Sequence, residues 1–194
     1  MDTSQVAERI KAKFGEAGVE FHPETADPFI IVPAEKIVEI CRFLREDSEI
    51  RLDAFSSITG VDWPEEGLID VVYHLASYRH HHVCTLKVRL PRDHPEAPTI
   101  ETVWKAANWF ERETYDLLGV RFKGHSNLKR LLLPDDWEGH PLRKDYEEKP
   151  EYHGIETTRE DPMKVLEPAP WGPAPAPKEK PESEKDKDGE SEGS

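Results

Sequence analysis

The chain has 194 residues, 34% of them charged, and a formal net charge of -14, a size that suits one domain with a tail. That acidic balance excludes nonspecific nucleic-acid binding and charge-driven docking on anionic lipid, both of which need a basic surface. No apolar run nears the ~20 residues of a membrane-spanning helix, and the opening Met1-Asp2-Thr3-Ser4-Gln5 is unlike a signal peptide, so the expectation is a soluble chain whose membrane link runs through another protein.

In chain order, Thr3 or Ser4 can cap a first helix in which Val6, Ile10 and Phe14 share a face and Gly18 is the stop. Val19 to Phe21 reads as a short strand. Phe29-Ile30-Ile31-Val32, between Pro28 and Pro33, reads as a buried one. Pro33 opens a second helix with an inner stripe of Ile37, Val38, Cys41 and Leu44, closed by Asp47-Ser48. Three strands follow: one within 52–61, one over 68–78 with Ile69, Val71, Tyr73 and Leu75 on one face, and one over 82–90 with Cys84, Leu86, Val88 and Leu90 on one face. Turns fall at 63–67 and 79–81. Such alternation suits an antiparallel sheet covered on one side. Thr99 can cap a third helix running to Leu118, with Ile100, Val103, Trp104 and Ala107 pointing inward and Gly119 ending it. The expected fold class is α+β: a small, mostly antiparallel sheet with helices packed on it.

Beyond Pro134 the pattern changes, because prolines at 134, 141, 150, 162, 168 and 170 forbid long helices and central strands. Three regions are expected. Residues 1–133 form the globular α+β domain. Residues 134–160 form a long extended arm that wraps a partner through scattered anchors, among them Trp137, Leu142, Tyr146, Tyr152 and Ile155. Residues 161–194, rich in Pro and Ala and then in charge, form a disordered tail. Removing that tail after Pro168 should leave any assembly intact.

The chemistry legible in the chain is sparse. The two cysteines, Cys41 and Cys84, lie on apolar stripes outside any C-x-x-C pair, so they read as buried thiols and not as an iron–sulfur or zinc site. His80, His81 and His82 with His74 could offer half a metal site, but no third and fourth ligand has matching spacing, and an exposed polar hairpin turn accounts for them. No glycine-rich phosphate loop is present. Glu111, Arg112, Glu113 and Asp116 admit three readings: acid–base groups, a solvated helix face laced with ion pairs, or an interface. Arg112 and Asp116 are four apart and can pair; Glu113 and Asp116 are three apart and repel. His125 and His140 sit beside glycines and the cations Lys129, Arg130, Arg143 and Lys144, with no Ser or Cys nucleophile in view. Docking is their expected use.

Two phrases carry a resemblance. Glu111-Arg112-Glu113, Asp116, Leu117-Leu118, a six-residue gap, His125, Lys129 and Leu131-Leu132 form one; Gly139-His140-Pro141-Leu142-Arg143-Lys144-Asp145-Tyr146 forms the other. Together they resemble the signature region of the 30-kDa-type subunit of respiratory complex I, the C-type subunit of bacterial proton-pumping NADH–quinone oxidoreductase. The match covers about a fifth of the chain.

The resemblance implies a non-catalytic structural subunit, peripheral on the cytoplasmic face of the membrane. It would dock on the 49-kDa-type (D-type) subunit, with the 20-kDa-type (B-type) subunit nearby and the ferredoxin-like iron–sulfur subunit as a further neighbour. It implies no cofactor in this chain, with FMN and iron–sulfur clusters in other subunits. It implies no catalytic or metal residue, and partner binding through Glu111, Arg112, Glu113, Asp116, His125, Arg130, Trp137, His140, Leu142, Arg143, Lys144, Asp145 and Tyr146. Related complexes that use ferredoxin, reduced F420 or hydrogen are the alternative, and a small independent metal-dependent enzyme is a further one.

Overall fold

The structure, a computed structural model, describes residues 2–157; the expected tail and the last residues of the arm lie outside them. Helix α1 spans Thr3–Phe14. Its cap is Asp2 and not Thr3, because Asp2 and Gln5 form a reciprocal capping box that satisfies two orphan backbone donors. Gly15, at φ +87°, ends it before Gly18 is reached. Strands β1 (Glu20–His22) and β2 (Phe29–Ile31) follow. A single 3-10 turn (Ala34–Lys36) then leads into α2 (Ile37–Glu46).

Strands β3 (Ala54–Trp63), β4 (Leu68–Ser77) and β5 (His82–Pro91) complete a sheet ordered β1-β2-β5-β4-β3. All neighbours are antiparallel except β2 with β5. The register sets Ile58 opposite Tyr73 and Gly60 opposite Val71, and Tyr73 opposite Leu86. One face therefore collects Ile58, Ile69, Val71, Tyr73, Leu75, Leu86, Val88 and Leu90, which pack with Ile10, Ile37, Ile40 and Leu44 of the helices. Fully burying each such side chain is worth about 1.5–3 kcal/mol, and a slip of one residue would turn the whole set to solvent. That is why alternation along β4 and β5 reads correctly from sequence alone.

The third helix is shorter than expected. Helix α3 spans Ala107–Leu118, and residues 100–106 form turns. Ile100, Val103, Trp104 and Ala107 are buried as the periodicity requires. However, the Val103 amide bonds to the Ile100 carbonyl at 2.8 Å and the Ala107 amide to the Trp104 carbonyl at 3.0 Å, spacings of a tight turn. Thr99 caps this run of turns and not the helix: its hydroxyl oxygen accepts the Glu101 amide at 3.1 Å while its proton goes to Glu111. Helix α3 lies on β3 so closely that a Cβ on Gly60 would stand 2.2 Å from Leu118 Cδ1. Strands β6 (Glu96–Pro98) and β7 (Arg121–Lys123) pair in parallel on either side of this helix in the chain.

The compact unit runs to Glu148, so the boundary expected after Leu133 falls inside it, and residues 134–148 belong to the domain. A second unit begins at Lys149. Its described part is a small hairpin, β8 (Glu151–Tyr152) with β9 (Ile155–Glu156), where the sequence suggests plain extended chain. His153 at φ +51° and Gly154 at +79° supply the two left-handed residues that a two-residue hairpin turn needs.

Candidate functional site

The two signature phrases meet at the C-terminal end of α3. Asp116 is fully buried. Its Oδ2 accepts the amides of Leu131, Leu132 and Leu133 at 2.9, 2.7 and 2.9 Å, and its Oδ1 accepts from Arg130 Nη1 at 2.8 Å. Burial pushes this carboxyl up, but the three amides and the Arg130 cation outweigh it and hold it below the ordinary carboxylate range. The partner of Asp116 is therefore Arg130 and not Arg112. Arg112 donates to the carbonyls of Lys129 and Arg130 at 3.1 and 2.9 Å, and its guanidinium lies 5.2 Å from the ring centre of Trp109. Glu113 is half-buried on the same helix.

The last carbonyls of a helix have no partner within it. In α3 the second phrase supplies them. His140 Nδ1 donates to the Asp116 carbonyl at 2.9 Å, the Leu142 amide to that of Leu117 at 3.0 Å, and Arg143 Nε to that of Leu118 at 2.8 Å. Gly119, at φ +80°, ends the helix. A Cβ there would meet His140 Nε2 at 2.6 Å and Arg143 Nη2 at 3.1 Å, so glycine is required by conformation and by space together. Two arginines, Arg130 and Arg143, thus sit at the negative end of the helix dipole. Burial depresses the pKa of His140. Nearby, Arg130 Nη2 donates to the Trp137 carbonyl at 2.8 Å, and Trp137 Nε1 donates to the Tyr146 hydroxyl at 3.1 Å.

The far end of the phrase is fastened to the sheet. Arg92 grips Asp62 through Nε and Nη2 at 2.7 and 3.0 Å, and Asp145 through Nη2 at 2.6 Å. The Lys144 amide donates to Asp62 Oδ2 at 2.8 Å. The bond from Arg92, aided by Lys144, holds the Asp62 carboxyl below its ordinary range. Asp62 and Arg92 escape a sequence reading that looks only at the phrases. The available signal is that Gly60 and Asp62 occupy core-facing positions of β3, where an apolar residue is the ordinary choice.

At the other end of α3, Glu111 is fully buried. Its Oε1 accepts the Ile100 amide at 2.7 Å and its Oε2 accepts the Thr99 hydroxyl at 2.5 Å. Burial, opposed only in part by these bonds, raises its pKa to about 7. His125 Nε2 stands 3.8 Å from both Glu111 and Glu101. The Asn127 amide donates to His125 Nδ1 at 3.0 Å, so the ring carries its proton on Nε2, which faces the Asn108 carbonyl at 3.1 Å. Both ring nitrogens of His125 are thereby engaged by backbone groups.

The histidine hairpin stands apart from this site. His80 and His82 stack with ring centres 6.2 Å apart, while His74 Nδ1 lies 3.3 Å from the Thr85 hydroxyl. Among the described residues no group of three or more His, Cys, Asp or Glu side chains is placed to hold a metal ion. Cys41 and Cys84 are free and buried. Burial pushes the Cys84 thiol up to about 12 and that of Cys41 well above the usual range, which suits packing and not nucleophilic chemistry. Among the described residues no helix is long and apolar enough to cross a membrane.

Residues 30–152 match the family described as respiratory-chain NADH dehydrogenase, 30 Kd subunit. The C subunit of an NADH-quinone oxidoreductase from Roseiflexus sp. (strain RS-1) is 40% identical over 146 residues, which cover 75% of this chain and 84% of that protein. The C subunit of an F(420)H(2) dehydrogenase from Methanosarcina mazei is 45% identical over 151 residues, covering 76% and 93%. Among solved structures, a chain of the membrane-bound sulfane sulfur reductase, an archaeal respiratory membrane complex, superimposes with a TM-score of 0.62 at 30% identity, covering 74% of this chain and 85% of that one. A trypsin-resistant fragment (1–134) of Nqo5 superimposes with a TM-score of 0.53 at 26% identity, covering 66% and 100%. With the family matched across more than half its length and relatives of this identity spanning most of theirs, the chain belongs to the 30 Kd subunit family of respiratory-chain NADH dehydrogenase.

Proposed function

We propose that this chain is a non-catalytic structural subunit in the peripheral arm of a proton-pumping NADH–quinone oxidoreductase. It docks on the 49-kDa-type subunit, near the 20-kDa-type subunit, on the cytoplasmic face of the membrane, while FMN and iron–sulfur clusters in other chains carry the electrons. Membership of the family supports a place in a multi-subunit complex. The observation that carries the structural role is how the signature side chains are used. Asp116 and Arg130 spend their bonds on each other and on backbone groups of the same chain, His140 and Arg143 spend theirs on backbone carbonyls, and His125 is bonded at both ring nitrogens. A general base or nucleophile needs a free, reachable atom. These groups fasten the two ends of α3 instead.

A second reading has its own support. The M. mazei relative, named as part of an F(420)H(2) dehydrogenase, is 45% identical, against 40% for the Roseiflexus protein. On this reading the donor is reduced F420, since donor choice lies in other chains. Purifying the chain with its partners from native membranes and assaying the eluate separates the two. Quinone-dependent oxidation of NADH supports the first reading. Oxidation of reduced F420 without NADH activity supports the second. Recovery of the chain alone would end both.

A further inference from the structure

We infer that Trp109, Arg112, Lys129 and Leu132 form a preorganised docking patch for another chain of the complex, one that presents an apolar recess edged by carboxylates. The inference rests on the subunit role proposed above and adds the surface and the chemistry of its partner.

Arg112 links the parts of the patch. Trp109 lies on α3 and is 59% exposed, while its neighbour Phe110 packs inward against Phe55. The Arg112 guanidinium covers the Trp109 ring at 5.2 Å and reaches on to the carbonyls of Lys129 and Arg130. Two residues later Leu132 stands 62% exposed. Single exposed apolar side chains are ordinary. An exposed Trp covered by an Arg that is bonded to the segment carrying an exposed Leu is less so, because Trp and Arg dominate the energetics of protein contacts.

The patch is also held in place. Leu132 projects from a turn whose three consecutive amides converge on the buried Asp116. Arg112 is pinned by two carbonyls through Nε and Nη2. Side chains ordered in advance lose little freedom on binding, which favours association. A fully buried carboxylate spent on holding an outward-facing leucine makes sense if that leucine has a seat elsewhere.

Charge selects the occupant. Among the described residues neither Arg112 nor Lys129 is in an ion pair, although Asp116 pairs with Arg130 alongside. Glu113, half-buried one turn beyond Trp109, adds an acidic margin. A partner that offers carboxylates to Arg112 and Lys129 around an apolar recess meets both features. A second copy of this chain fits worse. Two copies at -14 each repel at long range, and a two-fold contact would set Arg112 and Lys129 against their own images.

The test uses the full chain in its native membranes. A photo-reactive amino acid replaces Leu132, the membrane complex is purified after illumination, and linked peptides are identified by mass. The inference expects an adduct to a different subunit, on a peptide that contains Asp or Glu near apolar residues. In parallel, Trp109→Asp and Leu132→Asp should each lower the yield of co-purified complex at least tenfold. The melting temperature of the full chain should move by no more than about 2 °C, as for other exposed sites. An adduct to a second copy of the chain overturns the inference. So does an intact complex that gives no adduct while both variants assemble normally; that result leaves the subunit role standing. A chain that never associates with any complex removes both.

Discussion

Glu111 and Asp116 lie five residues apart on one helix, both fully buried, yet their protons behave oppositely. Asp116 has three amides and a guanidinium, enough to keep it ionised. Glu111 has one amide and one hydroxyl and no cation bonded to it, so burial prevails and its pKa rises to about 7. The sign for stability follows. Between about 4.5 and 7 the folded chain keeps the Glu111 proton that the unfolded chain has lost, so stability falls as pH rises through that window, by an amount on the order of 3 kcal/mol. Glu111→Gln is neutral at every pH and nearly the same shape. It should flatten this part of the pH profile and be the more stable form at pH 8, as read from urea unfolding at pH 5, 6.5 and 8. An unchanged slope would show that Glu111 is ionised throughout. The Glu111-Arg112-Glu113 string itself is plain in the sequence. That its first member is buried and uncompensated is not, because Thr99 and Ile100 reach it through the packing of a separate turn.

At the scale of the element, α3 is completed by chain that follows it. Its final carbonyls are capped by His140, Leu142 and Arg143, and its Asp116 side chain gathers the turn at 131–133. Removing that carboxylate leaves three amides without their acceptor and Arg130 without its ion-pair partner. Asp116→Ala should therefore cost about 3–5 kcal/mol, the usual cost of breaking a buried charged network. Glu113→Ala on the same helix should stay within about 0.5 kcal/mol. Chemical denaturation of both variants checks the contrast, and equal losses would mean that helix propensity, not the network, is being measured. A reading by helical spacing pairs Arg112 with Asp116, since they are four apart. Arg130 takes that place because its backbone is already brought to the helix end by the turn that Asp116 nucleates.

For the whole molecule, the segment after Leu133 belongs to the domain as far as Glu148. Ending the chain after Glu148 should leave a cooperative thermal transition within a few degrees of the full chain. Ending it after Leu133 removes three caps on α3 and the contacts to Asp62 and Arg92. At about 1 kcal/mol for each hydrogen bond lost, the melting temperature should drop by roughly 10 °C. Equal melting of the two truncations would show that the segment only rests on the surface. Sequence by itself determined the helix faces, the strand alternation of β4 and β5, and the two phrases that place the chain in its family. These are local patterns, set by periods of 3.6 and 2 residues and by neighbouring identities. Only the tertiary structure decided where the polar side chains spend their bonds. The Lys144 amide meets an aspartate 82 residues earlier and Arg92 meets one 53 residues later. Choices at such separations depend on which surfaces the packed core brings together, and no local period records them.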